Sequence, residues 1–312
     1  MAVATPTTPI EVRPTTVDAG GRRRPSALPY ALLLPSVAVL VIMLGYPLVR
    51  LVTLALQEYG LRQVFGQPAP WVGLDNFRTI LGEDYFWTVL WRTLAFCFAN
   101  VALTMVLGVL VALLLQALGR GMRVVVSTSL IVAWGMPALT ATIIWQWMFD
   151  TEYGLVNWAL GRQGESWLAD QLTFFMVATI IVVWMGIPFV AFTVYAALTQ
   201  IPVDIVEAAR LDGAGARDVF RHVALPALKP ILLILTSLSI IWDFRVFTQV
   251  YVLQKAGGVT RDTNLLGVYA YQISIGQNRF DIGAAVAVVM VAITIILTLV
   301  YLRAMVRTDE EL

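Results

Sequence analysis

Two lysines, one histidine and one cysteine are all that 312 residues contain of those types, and each scarcity excludes something. A lone cysteine, Cys97, rules out an intrachain disulfide framework and any cysteine-rich zinc site. A lone histidine, His222, counts against a His-based metal centre or a Ser/His/Asp triad. The phosphate-binding motif G-x-x-x-x-G-K-[ST] needs Ser or Thr after its lysine, but Lys229 precedes Pro230 and Lys255 precedes Ala256. The chain therefore has no P-loop with which to hydrolyse ATP. Charged residues make up only 13% of the chain, against roughly a quarter in soluble domains. A net charge of +1 provides no basic excess for nucleic acid.

Apolar residues fill the space that charge leaves, at 59% of the chain and a mean hydropathy of +0.79. The length would suit two soluble domains, but so apolar a core could not cover its own surface. The composition is that of an integral membrane protein. A hydrocarbon layer needs about 20 mostly apolar helical residues to cross it, and six stretches qualify: 30–56, 93–118, 124–149, 172–199, 230–253 and 282–302. Helices are required because lipid offers backbone groups no partner, and the runs are too long for barrel strands. The organisation read from the sequence is a flexible cytoplasmic tail over 1–29, rich in Thr, Pro and Arg, a six-helix membrane domain over 30–306, and a short cytoplasmic tail over 307–312. Arg22-Arg23 resembles a twin-arginine export signal, but the apolar run that follows is too long, and the first span reads as an anchor that stays attached.

Orientation follows from Lys and Arg asymmetry. With the N-terminus inside, the cytoplasmic segments hold twelve such residues: Arg13, Arg22, Arg23, Arg24, Arg120, Arg123, Arg210, Arg217, Arg221, Lys229, Arg303 and Arg307. The outer loops hold six: Arg62, Arg78, Arg162, Lys255, Arg261 and Arg279. Both termini are thus expected in the cytoplasm of a multi-pass plasma (inner) membrane protein. Within spans, Gly45 with Pro47, Gly135 with Pro137 and Gly186 with Pro188 mark either ordinary kinks or freed carbonyls along a water-filled path.

The segment between the fourth and fifth spans, 200–229, carries most information. Pro202 can open a helix with Asp204 and Glu207 near its N-terminal end, where negative charge is favoured. Ile205, Ala208, Ala209 and Asp212 follow one face, and Gly213 offers a break where positive φ costs little. A second short helix, about 214–223, groups Val219, Phe220 and Val223, and Leu225-Pro226 is expected to end it. Such a pair of amphipathic helices either rests on the membrane surface or docks into a groove on a soluble partner.

Glu207-Ala208-Ala209-x-x-Asp212-Gly213-Ala214, followed by Leu225-Pro226, resembles the EAA loop of ABC importer permeases. Trp71-Val72-Gly73-Leu74-Asp75-Asn76-Phe77 in the first outer loop, Gly257-Gly258, Phe280, Gly283 and Ala285 are similar to the first-named permease of maltose and glycerol-phosphate type importers. The likeness extends over about 28–305, and Arg92-Thr93, where relatives commonly have Asn-Thr, departs from it at the start of the second span. The chain looks most like the corresponding permeases of mycobacterial trehalose importers. The resemblance implies an all-α type I importer permease whose EAA coupling helices (Glu207, Ala208, Ala209, Asp212, Gly213, Ala214) transmit motion from an ATPase. It implies a second homologous permease forming a heterodimer, two ATPase subunits carrying ATP and Mg, and an extracytoplasmic sugar-binding protein. This chain itself would hold no cofactor, no metal and no catalytic residue. The implied substrate is a sugar, best trehalose.

For the sugar, the fifth span offers Ser239, Trp242, Asp243, Phe244, Arg245 and Gln249. Ser239 and Asp243 share a face that Val246 completes, and an ionisable group in a span marks a functional candidate. Counting from the EAA loop, the resemblance carries sugar-contacting positions to Ser239, Asp243 and Val246, and in the fourth span to Met185, Gly186 and Phe189. Asp243 can instead be structural, pairing with Arg245 or with an arginine of the second permease. Trp145 and Trp147 suit interfacial anchors better than sugar platforms. A proton- or sodium-coupled carrier, or an intramembrane enzyme, finds less support: no internal repeat and no clustered nucleophile and base are visible.

Overall fold

The computed structural model describes residues 28–310, with side chains over 32–303, and every regular element among them is helical. The tail expected over 1–29 falls outside these residues except for Leu28 and Pro29. The helices are α1 (Leu28–Leu40), α2 (Tyr46–Ala55), α3 (Leu61–Val64), α4 (Asp75–Leu81), α5 (Asp84–Ala117), α6 (Arg120–Trp134), α7 (Ala138–Met148), α8 (Leu155–Leu160), α9 (Gln171–Leu198), α10 (Val203–Leu211), α11 (Ala216–Val219), α12 (Leu225–Asp243), α13 (Thr248–Lys255), α14 (Thr260–Thr263), α15 (Leu266–Tyr271) and α16 (Phe280–Glu310). Among the described residues five helical segments are long and apolar enough to cross a membrane, and the bent pair α6–α7, taken as one span, brings the number to six.

The chain divides into two compact units, Met1–Val49 and Arg50–Leu312. The described part of the first is an uncharged, mostly apolar helix with exposed side chains. A π-turn at Val41–Gly45 relaxes its hydrogen-bond ladder just ahead of Pro47.

In the second unit, α5 and α9 form the principal helix pair. Two glycines set their spacing. A Cβ on Gly108 would lie 2.5 Å from Val190 Cγ1, and one on Gly186 would lie 2.8 Å from Thr104 Cγ2. The matched pairs 104/186 and 108/190 advance together, so the two helices run in the same direction. Small residues at such a contact let backbones approach where the hydrophobic effect supplies no drive between helices. α12 then packs on α5, α9 and α16.

Each end of the unit has its own fastenings. At one end Asn76 Nδ2 donates to the carbonyls of Ala55 and Gln57, both at 2.9 Å, and Asp281 N donates to Tyr59 O at 3.0 Å. The Asn of the Trp71–Phe77 motif is thus a clamp between chain segments. Arg92, where the resemblance predicts Asn, donates to the carbonyls of Arg261 and Asn264, each at 3.2 Å. Thr93 Oγ1 accepts from Leu266 N at 2.9 Å. Tyr269 donates to Glu83; burial, and then that carboxylate, hold its phenol above the usual range. At the opposite end Arg123 donates to Leu115 O at 2.9 Å and Leu118 O at 2.8 Å. These are carbonyls that the end of α5 leaves without helical partners.

Three spans differ from the hydropathy reading. The second begins at Asp84, not 93, because Phe86, Val89 and Leu90 are buried in the core with Leu266 and Ala285, and packing keeps the helix wound past the apolar run. The third turns by 104° between α6 and α7, far more than a kink. Gly135 ends α6, and Pro137, lacking a backbone N–H, sits ahead of α7. By contrast, α9 runs unbroken through Gly186 and Pro188. The fifth is both extended and interrupted. Leu225-Pro226 does not end the preceding helix. A π-turn over Phe220–Ala224, with Leu225 N bonded back to Phe220 O, widens the ladder enough to carry the chain through Pro226 into α12.

Candidate functional site

Two regions have chemistry beyond packing. The first is the segment after α9. Pro202 precedes α10, Asp204 lies in its first turn and Arg210 in its last, each charge matched to the helix dipole. The helix closes on glycine: Gly213, at φ +86°, lets its own N–H donate to Arg210 O and Ala214 N–H to Ala209 O, both at 3.0 Å. Such a paired closure satisfies the last carbonyls of a helix and requires a left-handed residue at its corner. Ala209 and Ala214 are half-buried, and Glu207, Ala208, Asp212 and Gly213 are exposed. Val219, Phe220 and Val223 are half-buried on one side of the following turns, as their spacing suggests. Three apolar side chains of α10 are left uncovered, with Leu211 88% exposed and Val203 and Ile205 also open. What this segment offers is a helix closed at its C-terminal end, with bare apolar contacts.

The second region forms where the fifth span breaks. α12 stops at Asp243, residues 244–247 leave helical geometry, and α13 starts at Thr248. The break opens a cleft of about 390 Å³ lined by Trp242, Arg245, Val246, Phe247, Thr248 and Gln249. α9 supplies the facing side: Gln249 Nε2 lies 3.6 Å from Met185 Sδ, and the Phe189 ring is 5.1 Å from that of Trp242. Trp134, at the end of α6, stacks on Phe189 at 6.3 Å.

The sequence-derived candidates separate at this cleft. Val246 lines it, with Met185 and Phe189 beside it through Gln249 and Trp242. Gly186 lies instead in the contact with Thr104 of α5, and Ser239 is buried one turn below the break. Asp243 stands at the break itself, and its Oδ2 is buried without a hydrogen-bond partner. Among the described residues no ion pair joins it to Arg245, whose Nε donates to Ile241 O at 3.0 Å. Phe244 is sealed in the core. Of the third-span tryptophans, Trp147 is exposed, but Trp145 packs against Phe149 and Trp184.

Sequence reading missed Phe247 and Thr248 because it carried one helix through them; the stretch 243–247 contains neither Gly nor Pro to announce a break. The only signal was the aromatic density of Trp242, Phe244, Phe247 and Tyr251.

Residues 122–309 match the family described as binding-protein-dependent transport system inner membrane component. The diacetylchitobiose uptake system permease protein DasB of Streptomyces coelicolor is 43% identical over 289 residues, spanning 91% of this chain and 88% of the relative. The trehalose/maltose transport system permease protein MalF of Thermococcus litoralis is 32% identical, over 90% of this chain and 94% of its own. Among solved structures, a bacterial ABC transporter involved in the import of the acidic polysaccharide alginate has a chain of the same fold, with a TM-score of 0.78 at 22% identity over 90% of this chain and 95% of that one.

Proposed function

The chain belongs to the family of inner membrane components of binding-protein-dependent transport systems, and from that premise we propose that it is one permease of a heterodimeric, ATP-driven importer of a disaccharide. It is a transport subunit and not an enzyme. A homologous second permease completes the path, two ATPase subunits supply ATP and Mg chemistry, and an extracytoplasmic binding protein delivers the sugar.

The observation that carries this reading is the capped α10 with Leu211, Val203 and Ile205 uncovered. A helix resting on its own fold would bury those side chains, whereas one seated in an ATPase groove presents them. The Lys and Arg asymmetry supports a cytoplasmic position for that segment and for both termini. ATP-driven closure of the ATPase pair then draws α10 inward and moves the spans between inward- and outward-facing states, a two-state element biased by differential binding.

Trp242 and Phe189 provide apolar ring faces and Gln249 an amide beside them, a combination suited to a neutral sugar. The more similar relative is named for diacetylchitobiose, which ranks an N-acetylated disaccharide ahead of the trehalose that motif resemblance implies. Co-purification from the native membrane tests the assembly: a second permease and an ATPase should accompany this chain, and recovery of the chain alone would point to a carrier. Binding of diacetylchitobiose, trehalose and maltose to the partner binding protein decides the sugar.

Asp243 has a testable double character. One oxygen of its carboxyl, Oδ2, is buried without a partner, a costly arrangement inside a span. Asp243→Asn should therefore leave the thermal midpoint of the assembled permease unchanged or raised, while sugar uptake drops by about tenfold, the loss of one good contact. Uptake at the wild-type rate would remove Asp243 from the sugar path.

A further inference from the structure

Further along α13 from the break lies a second cavity, again of about 390 Å³, walled by Tyr251, Gln254, Lys255, Thr260, Tyr271 and Gln272. An aromatic strip joins it to the first cleft. Phe247 lines the first cleft and stacks on Tyr251 at 5.4 Å with planes 12° apart. Tyr271 stands edge-on to both rings, 5.5 Å from Phe247 and 5.3 Å from Tyr251. Tyr271 is nevertheless 39% exposed, which is not how three clustered aromatics sit when their purpose is to fill a core.

The other wall is polar and held in place. Gln254, nearly buried, spends both amide hydrogens on Thr263 Oγ1 at 3.0 Å and Asn264 Oδ1 at 3.1 Å, and its carbonyl accepts from Gln272 at 3.1 Å. Asn264 in turn donates to Gln272 Oε1 at 2.9 Å. Gln272 is thereby oriented by two bonds and keeps one N–H free by valence. Lys255 Nζ lies 5.6 Å from the Tyr251 ring centre and Thr260 opens on the same space. Flat apolar faces beside a preset amide, an ammonium and a hydroxyl match a ring with C–H faces and hydroxyl edges. A lipid chain would leave the polar groups unpaired, and an anion would find one lysine and three ring faces.

We propose that this cavity is a second saccharide subsite, which takes a sugar ring before it passes along Phe247 to the cleft at Trp242. The inference rests on the importer reading above and assigns a further binding position within it.

The test uses the complete importer in proteoliposomes, with its binding protein and tritiated diacetylchitobiose or trehalose, whichever the wild type accumulates. Failure of the wild type to accumulate either would strike the importer reading itself, independently of any variant. Given wild-type uptake, Tyr271→Ala should lower sugar taken up per ATP hydrolysed by about tenfold, the size of one lost aromatic contact. Binding-protein-stimulated ATP hydrolysis should stay within about twofold, well short of that tenfold step. Tyr271→Phe, which keeps the ring, should retain most of the uptake. Unchanged uptake in Tyr271→Ala, an equal loss in Tyr271→Phe, or a parallel collapse of ATP hydrolysis would each overturn the subsite.

Discussion

Gly213→Pro should leave the permease inserted and assembled, yet reduce sugar-stimulated ATP hydrolysis to the unstimulated rate. The native residue sits at φ +86° and donates its N–H to Arg210 O. Proline fixes φ near −65° and has no N–H to give, so both the corner and one of its two closing hydrogen bonds are lost. No neighbour lies within 4 Å of where a side chain would project, so the change disturbs the direction of the chain and not the packing of the bundle. α10 then leaves its set angle to the following turns, and ATPase motion no longer reaches the spans. Gly213→Ala separates conformation from contact: with free space around its methyl, its only penalty is the left-handed backbone, about 1–2 kcal/mol. Partial stimulation is therefore expected. Hydrolysis by the reconstituted complex with and without sugar-loaded binding protein reads both variants, and normal stimulation in Gly213→Pro would end the coupling assignment.

The second large effect lies where α5 meets α9. Gly108→Leu should prevent accumulation of folded permease, because even the first carbon of the new side chain falls 2.5 Å from Val190 Cγ1. Helix backbones held that close cannot yield locally, and overpacking of this sort costs about 1–3 kcal/mol for a small addition and more for a large one. Gly108→Ala should lower the thermal midpoint of the detergent-purified complex. Adding Val190→Gly should restore much of the loss, since Cγ1 and Cβ of Val190 lie 2.5 and 2.6 Å from the added carbon and the two positions do not act independently. If Gly108→Ala were neutral, or Val190→Gly gave no recovery, the glycine would not be setting the helix spacing.

Much of this protein is legible from its residues. The six apolar runs appear as five long helices and a bent pair, and Pro202, Asp204 and Gly213 mark the start and corner of α10 as their chemistry requires. Local rules suffice there because caps, turns and span lengths depend on neighbours in the chain. They fail where the decisive partner is distant. Pro226 reads as a stop, but a π-turn carries the helix through it. Arg92 reads as a departure from the family, but the carbonyls it reaches belong to Arg261 and Asn264. The stretch 244–247 reads as helix and is not.

The amino-acid sequence determined by itself that this chain lives in a bilayer, carries no fuel chemistry and presents a glycine-cornered helix between its fourth and fifth spans. Scarcity of charge, the absent P-loop and the demands of backbone hydrogen bonding in lipid are properties that composition and short-range order express directly. Only the tertiary structure decided that Gly186 spaces two helices while Met185 and Phe189 lie beside the cleft. It alone decided that Asp243 ends a helix with an unpartnered oxygen, and that Phe247, Tyr251 and Tyr271 join two cavities. Those facts depend on which face of one helix meets which face of another, and in a uniformly apolar sequence no periodicity distinguishes one face from the next.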